Sequence, residues 1–438
     1  MAAPGRLSAL TPAATAPLAE WLAWLEAGRG EHICLGLERC VEVAARLGLT
    51  RPAPVVVTVA GTNGKGSSVA LLASIWRGAG YRVGAYTSPH LLRYNERMRI
   101  DGLAVEDAQI CAAFARVEAA RWSVALTYFE FATLAALLIF TQAPLDVVIL
   151  EVGLGGRLDA VNIVAADCAL IAAIGLDHEE WLGNTREQIA IEKAGIMRSG
   201  RVAVCSDNEV PHTLLDHARA CGALPAVLGV DFAFEDEGND WTWWSGAQVL
   251  EHLPYPALDG AHQLRNAAGV LKVVDTLQAR LPVSREQIAN GLRHVILPGR
   301  FHRVTRTLDY IIDVAHNPQA AEIFTATLAG LPQAPRSHAL IGMLKTKNHL
   351  GFLAPLLPYV QRWHFATLPG TNGARADELA ACLRQLSPRA SYVCHASVAD
   401  AHRAIRADAE RGERVLVLGS FLTVGAMLEE LAPLEASA

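Results

Sequence analysis

The chain has no Cys-x-x-Cys pair; its eight cysteines, Cys34, Cys40, Cys111, Cys168, Cys205, Cys221, Cys382 and Cys394, are scattered. That spacing supports neither a zinc site nor a disulfide framework, so buried, reduced thiols are expected. Basic tracts are missing as well. With 38 Lys and Arg against 44 Asp and Glu, the formal net charge is -6, and nothing in the pattern would track a phosphate backbone, which argues against nucleic acid as a partner. Long apolar runs are absent too: the longest of helical type, Phe131 to Phe140, falls far short of a membrane span. The N-terminus shows no basic region followed by an apolar core and a cleavage site, so a cytoplasmic protein with no membrane partner is expected. Internal repeats and low-complexity segments are also lacking.

What is present centres on Pro54 to Gly80. An apolar run, Pro54 to Ala60, is followed by Gly61-Thr-Asn-Gly-Lys-Gly-Ser67 and then by the apolar-periodic stretch Ser68 to Trp76. This reads as strand, phosphate loop and helix. Glycines let backbone N–H groups turn toward an anion, the helix N-terminus adds favourable partial charge, and Lys65 can reach terminal phosphates. ATP or GTP is the implied ligand. The spelling is irregular: the usual first glycine falls on Val59, and Gly66 displaces the usual hydroxyl onto Ser67. The competing reading is a glycine-rich surface turn with a solvated lysine.

At 438 residues the chain exceeds what one core usually supports, so two domains are expected, 1–297 and 298–438, hinged at Leu297-Pro-Gly-Arg300. In the first, a strand over 81–86 delivers Ser88, and the apolar strand 146–151 ends on Glu151. Ligands bind at such strand ends in open α/β sheets, and an acid there commonly holds magnesium; a plain strand-end charge is the alternative. A strand over 168–175 is expected to deliver His178 in the same register as Ser88 and Glu151. The helix Thr185 to Met197 opens on a capping-box pattern and carries Lys193 near its end. Trp241-Thr-Trp-Trp244 should plug a hairpin onto the core. Beyond Arg300, five strands alternate with helical segments, and the first ends in Asp313-Val-Ala-His316-Asn317-Pro318. Such alternation specifies a small doubly wound domain.

Together, Gly61 to Ser67, Thr87-Ser-Pro-His-Leu91 with Tyr94-Asn-Glu-Arg97, Leu150 to Asp159, Glu192-Lys-Ala-Gly-Ile196, Pro298-Gly-Arg300 and Asp313 to Pro318 resemble the folylpolyglutamate synthase family of Mur-type amide ligases. The resemblance runs from about Pro17 to Leu431. It implies an α/β protein in which a Mur-ligase-like ATPase domain with a mostly parallel sheet precedes a smaller Rossmann-like domain. Carried over position by position, it implies that Thr62, Asn63, Gly64, Lys65, Gly66 and Ser67, with Asn266, Arg300 and Asp313, bind ATP. It assigns Ser88, Glu151, His178 and a carbamylated Lys193 to two magnesium sites. The pterin or folate would meet Ile33, Cys34 and Leu35, then Thr127, Tyr128, Phe129 and Glu130, then Leu158, Asp159 and Ala160. The chain departs from the family's pattern at Cys34, where an acid is frequent, at Val161, where threonine is common, and at Gly342-Met-Leu-Lys-Thr-Lys347-Asn348, which keeps the lysine but loses both acids.

The implied activity is ATP-dependent ligation of L-glutamate to dihydropteroate and to folates through an acyl phosphate, by a monomer whose partners are small molecules. Lys65, His178 and Lys193 would serve the chemistry, and His316 at the interdomain face would orient glutamate or the acyl phosphate. A ligase with only one of the two activities, and a nucleotide-dependent switch, are the alternatives. An ordinary helix-end lysine is the plain reading of Lys193 without the resemblance.

Overall fold

In the computed structural model, residues 11–29 and 34–435 are described. Among them, three sheets form. The largest takes the order β4-β3-β2-β5-β1-β6-β7-β8, where β1 is Val55–Ala60, β2 Val83–Tyr86, β3 Met98–Ile100, β4 Leu103–Ala104, β5 Val147–Glu151, β6 Cys168–Ile171, β7 Val202–Cys205 and β8 Leu224–Val227. From β2 through β8 neighbouring strands run parallel, and β3 and β4 add an antiparallel edge.

β1 is buried at every position, as a near-continuous Val run predicts for a strand covered on both faces. Its side chains alternate between two cores. Val56 and Ala60 join the layer formed by the helices Leu18–Arg29, Asp107–Arg121 and Tyr128–Thr141. Val55, Val57 and Val59 join the opposite layer, built from the helices Lys65–Gly78, His262–Leu277 and Arg285–Arg293.

The tryptophan segment lies in β10 (Trp241–Ser245), between β9 (Phe232–Asp236) and β11 (Gln248–Leu253). Trp241 and Trp243 are fully buried, and the Trp243 indole N–H donates to Ala268 O at 3.1 Å. The expected plug is thus a three-stranded sheet rather than a hairpin. The cysteine expectation holds only in part: all eight are free, but Cys34 and Cys394 are exposed.

After Arg300 the third sheet takes the order β12-β13-β17-β14-β15-β16. Its strands are β12 His302–Thr305, β13 Asp309–Ile312, β14 Ser337–Ile341, β15 Arg362–Ala366, β16 Tyr392–His395 and β17 Arg414–Leu418. Only β12 is antiparallel, and it was not legible as a strand because its side chains are half-exposed and mixed in character. At the junction, Gly299 takes φ 74°. A Cβ there would lie 3.2 Å from both Val314 and Val424, so the crossing point tolerates only glycine.

Candidate active site

β1 releases the chain into the loop, and the Lys65–Gly78 helix begins at once. Gly64 stands at the helix N-cap with φ 87° and no capping side chain. A Cβ at Gly64 would fall 2.6 Å from Asn266 Oδ1, so glycine serves both the left-handed turn and the room that Asn266 occupies. Uncapped N–H groups are left to face an anion. Lys65 is folded back over the loop, its Nζ donating to Gly61 O at 2.9 Å and Thr62 O at 3.2 Å. Burial lowers its pKa. Asn266 lies behind the loop, buried, with Nδ2 bonded to Gln263 Oε1 at 2.9 Å and no hydrogen-bond partner for Oδ1 among the described residues.

Glu151 ends β5 opposite Val59 of β1, which brings the acid to the mouth of the loop. Burial pushes its carboxyl up to about 7 against the opposing charges of Lys65 and Arg300, and the Ser88 backbone N–H bonds to it. A Cβ on Gly66 would come within 3.5 Å of Arg300 Nη2 and 4.0 Å of Glu151 Oε2. The glycine that displaces the usual hydroxyl therefore sits where both groups converge.

His178 is placed differently from expectation. β6 stops at Ile171, beyond which Ala172 N still bonds to Ala60 O and an isolated antiparallel bridge joins Ala173 to Asn63. His178 therefore lies outside any strand, at a left-handed residue (φ 53°) opening the short helix Glu179–Leu182. Its surface is exposed to solvent, yet desolvation against the cleft wall and the charge of Lys347 lower its pKa to about 4, favouring the neutral ring that ligates metals.

Lys193 is buried on the helix Arg186–Ala194, and burial lowers its pKa to about 7. Its helix abuts the glycine loop closely: a Cβ on Gly156 would meet Glu192 O at 2.9 Å, and one on Gly195 would meet Arg157 Cβ at 2.3 Å. The capping pattern before this helix is half realised. Thr185 Oγ1 accepts from Gln188 N, but the Gln188 side chain accepts from Asn184 N rather than from the N-cap.

The second unit closes the cleft. Arg300 is half-buried and lies over the Phe421 ring at 5.4 Å. Asp313 accepts from Phe301 N and Ala315 N, both at 2.7 Å. His316 is engaged at both nitrogens, with Nδ1 at 2.8 Å from Val314 O and Nε2 at 3.4 Å from Asp177 Oδ2. Lys65, Ser88, Glu151, His178, Lys193, Arg300, Asp313 and His316 all line one cleft. Its donor set fits a divalent cation: a buried carboxylate strained toward protonation, a hydroxyl, a neutral imidazole and a lysine poised near neutrality.

Two residues, Asp177 in the cleft and Gln319 beside it, carry contacts that the sequence did not reveal. Asp177 receives Lys347 Nζ at 2.6 Å across the units. Burial raises its pKa, but the His316 hydrogen bond and the charge of Lys347 outweigh that and hold it well below the usual carboxylate range. Lys347, the lysine kept where the flanking acids are lost, is therefore an interdomain group. Gln319 meets Asn63 at 2.7 Å. The one signal available for either was proximity to the motifs at His178 and Asn317.

The positions assigned to the pterin form a separate patch, and they do not line the cleft. Ile33 lies outside the described residues. Cys34 is exposed, its carbonyl accepting from Arg39 Nη2 at 2.6 Å. The same guanidinium grips Glu130 at 2.7 Å, an Arg39 partnership the sequence did not reveal. Thr127 and Glu130 also make a reciprocal cap on the helix Tyr128–Thr141. Phe129 occupies the space above Gly153, and Asp159 accepts from Gly153, Leu154 and Val161 N–H groups. Burial still pushes Asp159 up to about 6. The loop from Gly153 to Asp159 thus joins this patch to Glu151, with Leu158, half-exposed, and Ala160 beside it.

A phosphate loop, a strand-end carboxylate and a buried lysine, faced by an arginine and an aspartate from a second α/β unit, define a nucleotide-dependent ligase of the Mur type. The Mur ligase, glutamate ligase domain family matches residues 299–421. Dihydrofolate synthase/folylpolyglutamate synthase of Escherichia coli K12 is 47% identical over 419 residues, 96% of each chain. Its Haemophilus influenzae counterpart is 42% identical over 429 residues, covering 94% of this chain and 97% of the other. Among solved structures, E. coli FolC in complex with DHPP and ADP superposes with a TM-score of 0.91 at 46% identity, covering 97% of this chain and 100% of that one. A bifunctional folylpolyglutamate synthase/dihydrofolate synthase with Mn, AMPPNP and L-glutamate bound gives 0.89 at 46% identity, covering 96% and 100%. The chain belongs to the dihydrofolate synthase/folylpolyglutamate synthase family.

Proposed function

We propose that the protein is an ATP-dependent amide ligase that adds L-glutamate to 7,8-dihydropteroate and to folates. The observation that carries this reading is the single cleft where Lys65, Glu151 and Lys193 face Arg300 and Asp313. Relatives at 47% and 42% identity carry both activities in their names, which favours both over one.

A carboxylate resists amines because its oxygen leaves poorly. Transfer of the ATP γ-phosphoryl group to that oxygen releases ADP and gives an acyl phosphate, which the glutamate amine attacks with loss of phosphate. Such transfer depends on positioning and charge more than on covalent help. The loop N–H groups, Lys65 and Arg300 hold and neutralise the phosphates, while Asn266 and Asp313 fix the nucleotide's setting. Ser88, Glu151, His178 and a carbamylated Lys193 hold magnesium, which when bound neutralises the developing phosphate charge. Carbamylation, in which the neutral amine adds to carbon dioxide and releases a proton to water, is favoured because burial lowers the Lys193 pKa to about 7. Cys34, Leu35, Thr127 to Glu130 and Leu158 to Ala160 form the pterin patch, with His316 oriented by Asp177 at the amine side.

We assign residues 1–297 to the nucleotide- and pterin-binding domain and 298–438 to the glutamate-ligase domain, acting as a cytoplasmic monomer on small-molecule substrates. Among the described residues, no helix is long and apolar enough to cross a membrane. The test is incubation with ATP, magnesium, L-glutamate and either dihydropteroate or a reduced folate. ADP release with a product one glutamyl residue heavier is expected for each acceptor. Release with only one acceptor refutes the dual assignment, and ADP without an amide product refutes the ligase.

A further inference from the structure

The front of the phosphate loop is pinned from two sides. On its own side, Thr62 N donates to Ala173 O at 2.7 Å, and Thr62 Oγ1 exchanges hydrogen bonds with Gly175 at 2.9 and 3.0 Å. The Asn63 side chain turns the other way, toward the second unit. Its Nδ2 donates to Gln319 Oε1 at 2.7 Å and to Asn317 Oδ1 at 3.3 Å, and its Oδ1 accepts from Asn317 Nδ2 at 3.2 Å.

The partners are held in turn. Asn317 is buried, caps the helix Pro318–Ala329 through Ala320 N at 2.9 Å, and donates to Asp177 at 3.3 Å. Gln319 fits against a glycine: a Cβ on Gly175 would fall 2.4 Å from Gln319 Oε1. Gly175, whose backbone also anchors Thr62, thus clears a seat for a side chain from the other unit.

We propose that Gln319 and Asn317 are positioning residues that clasp Asn63 across the cleft and so fix the phosphate loop for nucleotide. This rests on the nucleotide-loop reading given above. The physical consequence is linkage. Asn63 precedes Gly64, whose left-handed turn aims the following N–H groups. When the second unit withdraws, the Asn63 amide loses the partners that orient it, and the loop regains freedom that nucleotide binding must then remove. Nucleotide affinity and domain closure therefore strengthen one another reciprocally.

The test uses the full chain with Gln319→Met, which keeps length and volume but removes the acceptor, with Asn63→Ala, and with the double variant. ADP affinity is read by calorimetry with magnesium and no acceptor, alongside KM for ATP, KM for the folate, kcat and Tm. Gln319→Met should weaken ADP binding and raise KM for ATP about 3- to 10-fold, the range for one neutral hydrogen bond, with kcat and folate KM within about 2-fold. In the Asn63→Ala background the same change should cost nothing further, because it acts through Asn63. Unchanged ADP affinity, an equal rise in both KM values, or multiplicative effects in the double variant would overturn the clasp. Asn317→Ser, which keeps the helix cap but cannot reach Asn63, should reproduce the loss, and its failure to do so also counts against the proposal. Wild-type chain that binds no ADP would remove the nucleotide reading and the clasp together, whereas ADP binding without ligase activity would remove only the ligase.

Discussion

Replacing Lys347 by methionine isolates the ion pair that ties the two units together. Lys347 Nζ lies 2.6 Å from Asp177 Oδ1, and the two side chains are only 7% and 10% exposed. Deleting one partner of a buried pair typically costs about 3–5 kcal/mol, because the other charge stays behind. Here His316 at 3.4 Å and Asn317 at 3.3 Å remain against Asp177, so the lower end, about 3 kcal/mol, applies. Because the partners belong to different units, the loss should fall on closure rather than on the folding of either unit. Measured as ADP release with a folate acceptor, kcat/KM should drop about 100-fold, with 1.4 kcal/mol equal to one decade, while thermal unfolding moves little. Asp177→Asn combined with Lys347→Met should recover part of the loss, since no unpaired charge is then buried. A Lys347→Met enzyme within about threefold of wild type, or a loss matched by unfolding at assay temperature, refutes the interdomain role.

Other outcomes follow from the same geometry. Glu151→Gln should fold with an unchanged or higher Tm, because it removes a carboxylate that burial disfavours, yet lose about 100-fold or more in turnover; near-wild-type ADP release contradicts the metal assignment. Chelation with EDTA should likewise stop turnover and magnesium should restore it. Gly195→Ala drives a Cβ into Arg157 Cβ and Cα at 2.3 and 2.5 Å, so stability should fall by about 1–3 kcal/mol and folate KM should rise as the Leu158–Ala160 segment shifts. His364 offers a pH test. Burial and the flanking His338 and His395 push its pKa down to about 3, so below pH 6.5 the unfolded chain takes up a proton that the folded one refuses. Stability present above pH 6.5 is therefore lost as pH falls toward 3, with a limiting slope near 1.4 kcal/mol per unit that solvent screening reduces. His364→Leu should flatten Tm against pH between 6 and 4, and an unchanged profile refutes this.

Wherever one short stretch contains its own physical cause, the sequence was sufficient. Val55 to Ala60 reads as a strand buried on both faces, Gly64 with Lys65 as an anion-binding helix start, and Glu151 as a carboxylate closing an apolar run. Short edge elements such as β3, β4 and β12 were missed because their side chains carry no clear periodicity. The apolar run over 168–175 continues past Ile171 but regular parallel pairing does not: beyond it Ala172 N bonds to Ala60 O, and Ala173 meets the phosphate loop through an isolated antiparallel bridge to Asn63. His178 consequently opens a short helix rather than standing directly at a strand end.

What tertiary structure alone decided is which distant side chains meet. The order of the large sheet seats Glu151 beside Val59 and brings Ser88 to the same carboxylate. Closure of the second unit turns Lys347 toward Asp177 and Gln319 toward Asn63. These pairs join chain segments whose separation leaves no periodic trace, because ion pairs and amide hydrogen bonds depend on distances of a few ångströms set by how the two units pack.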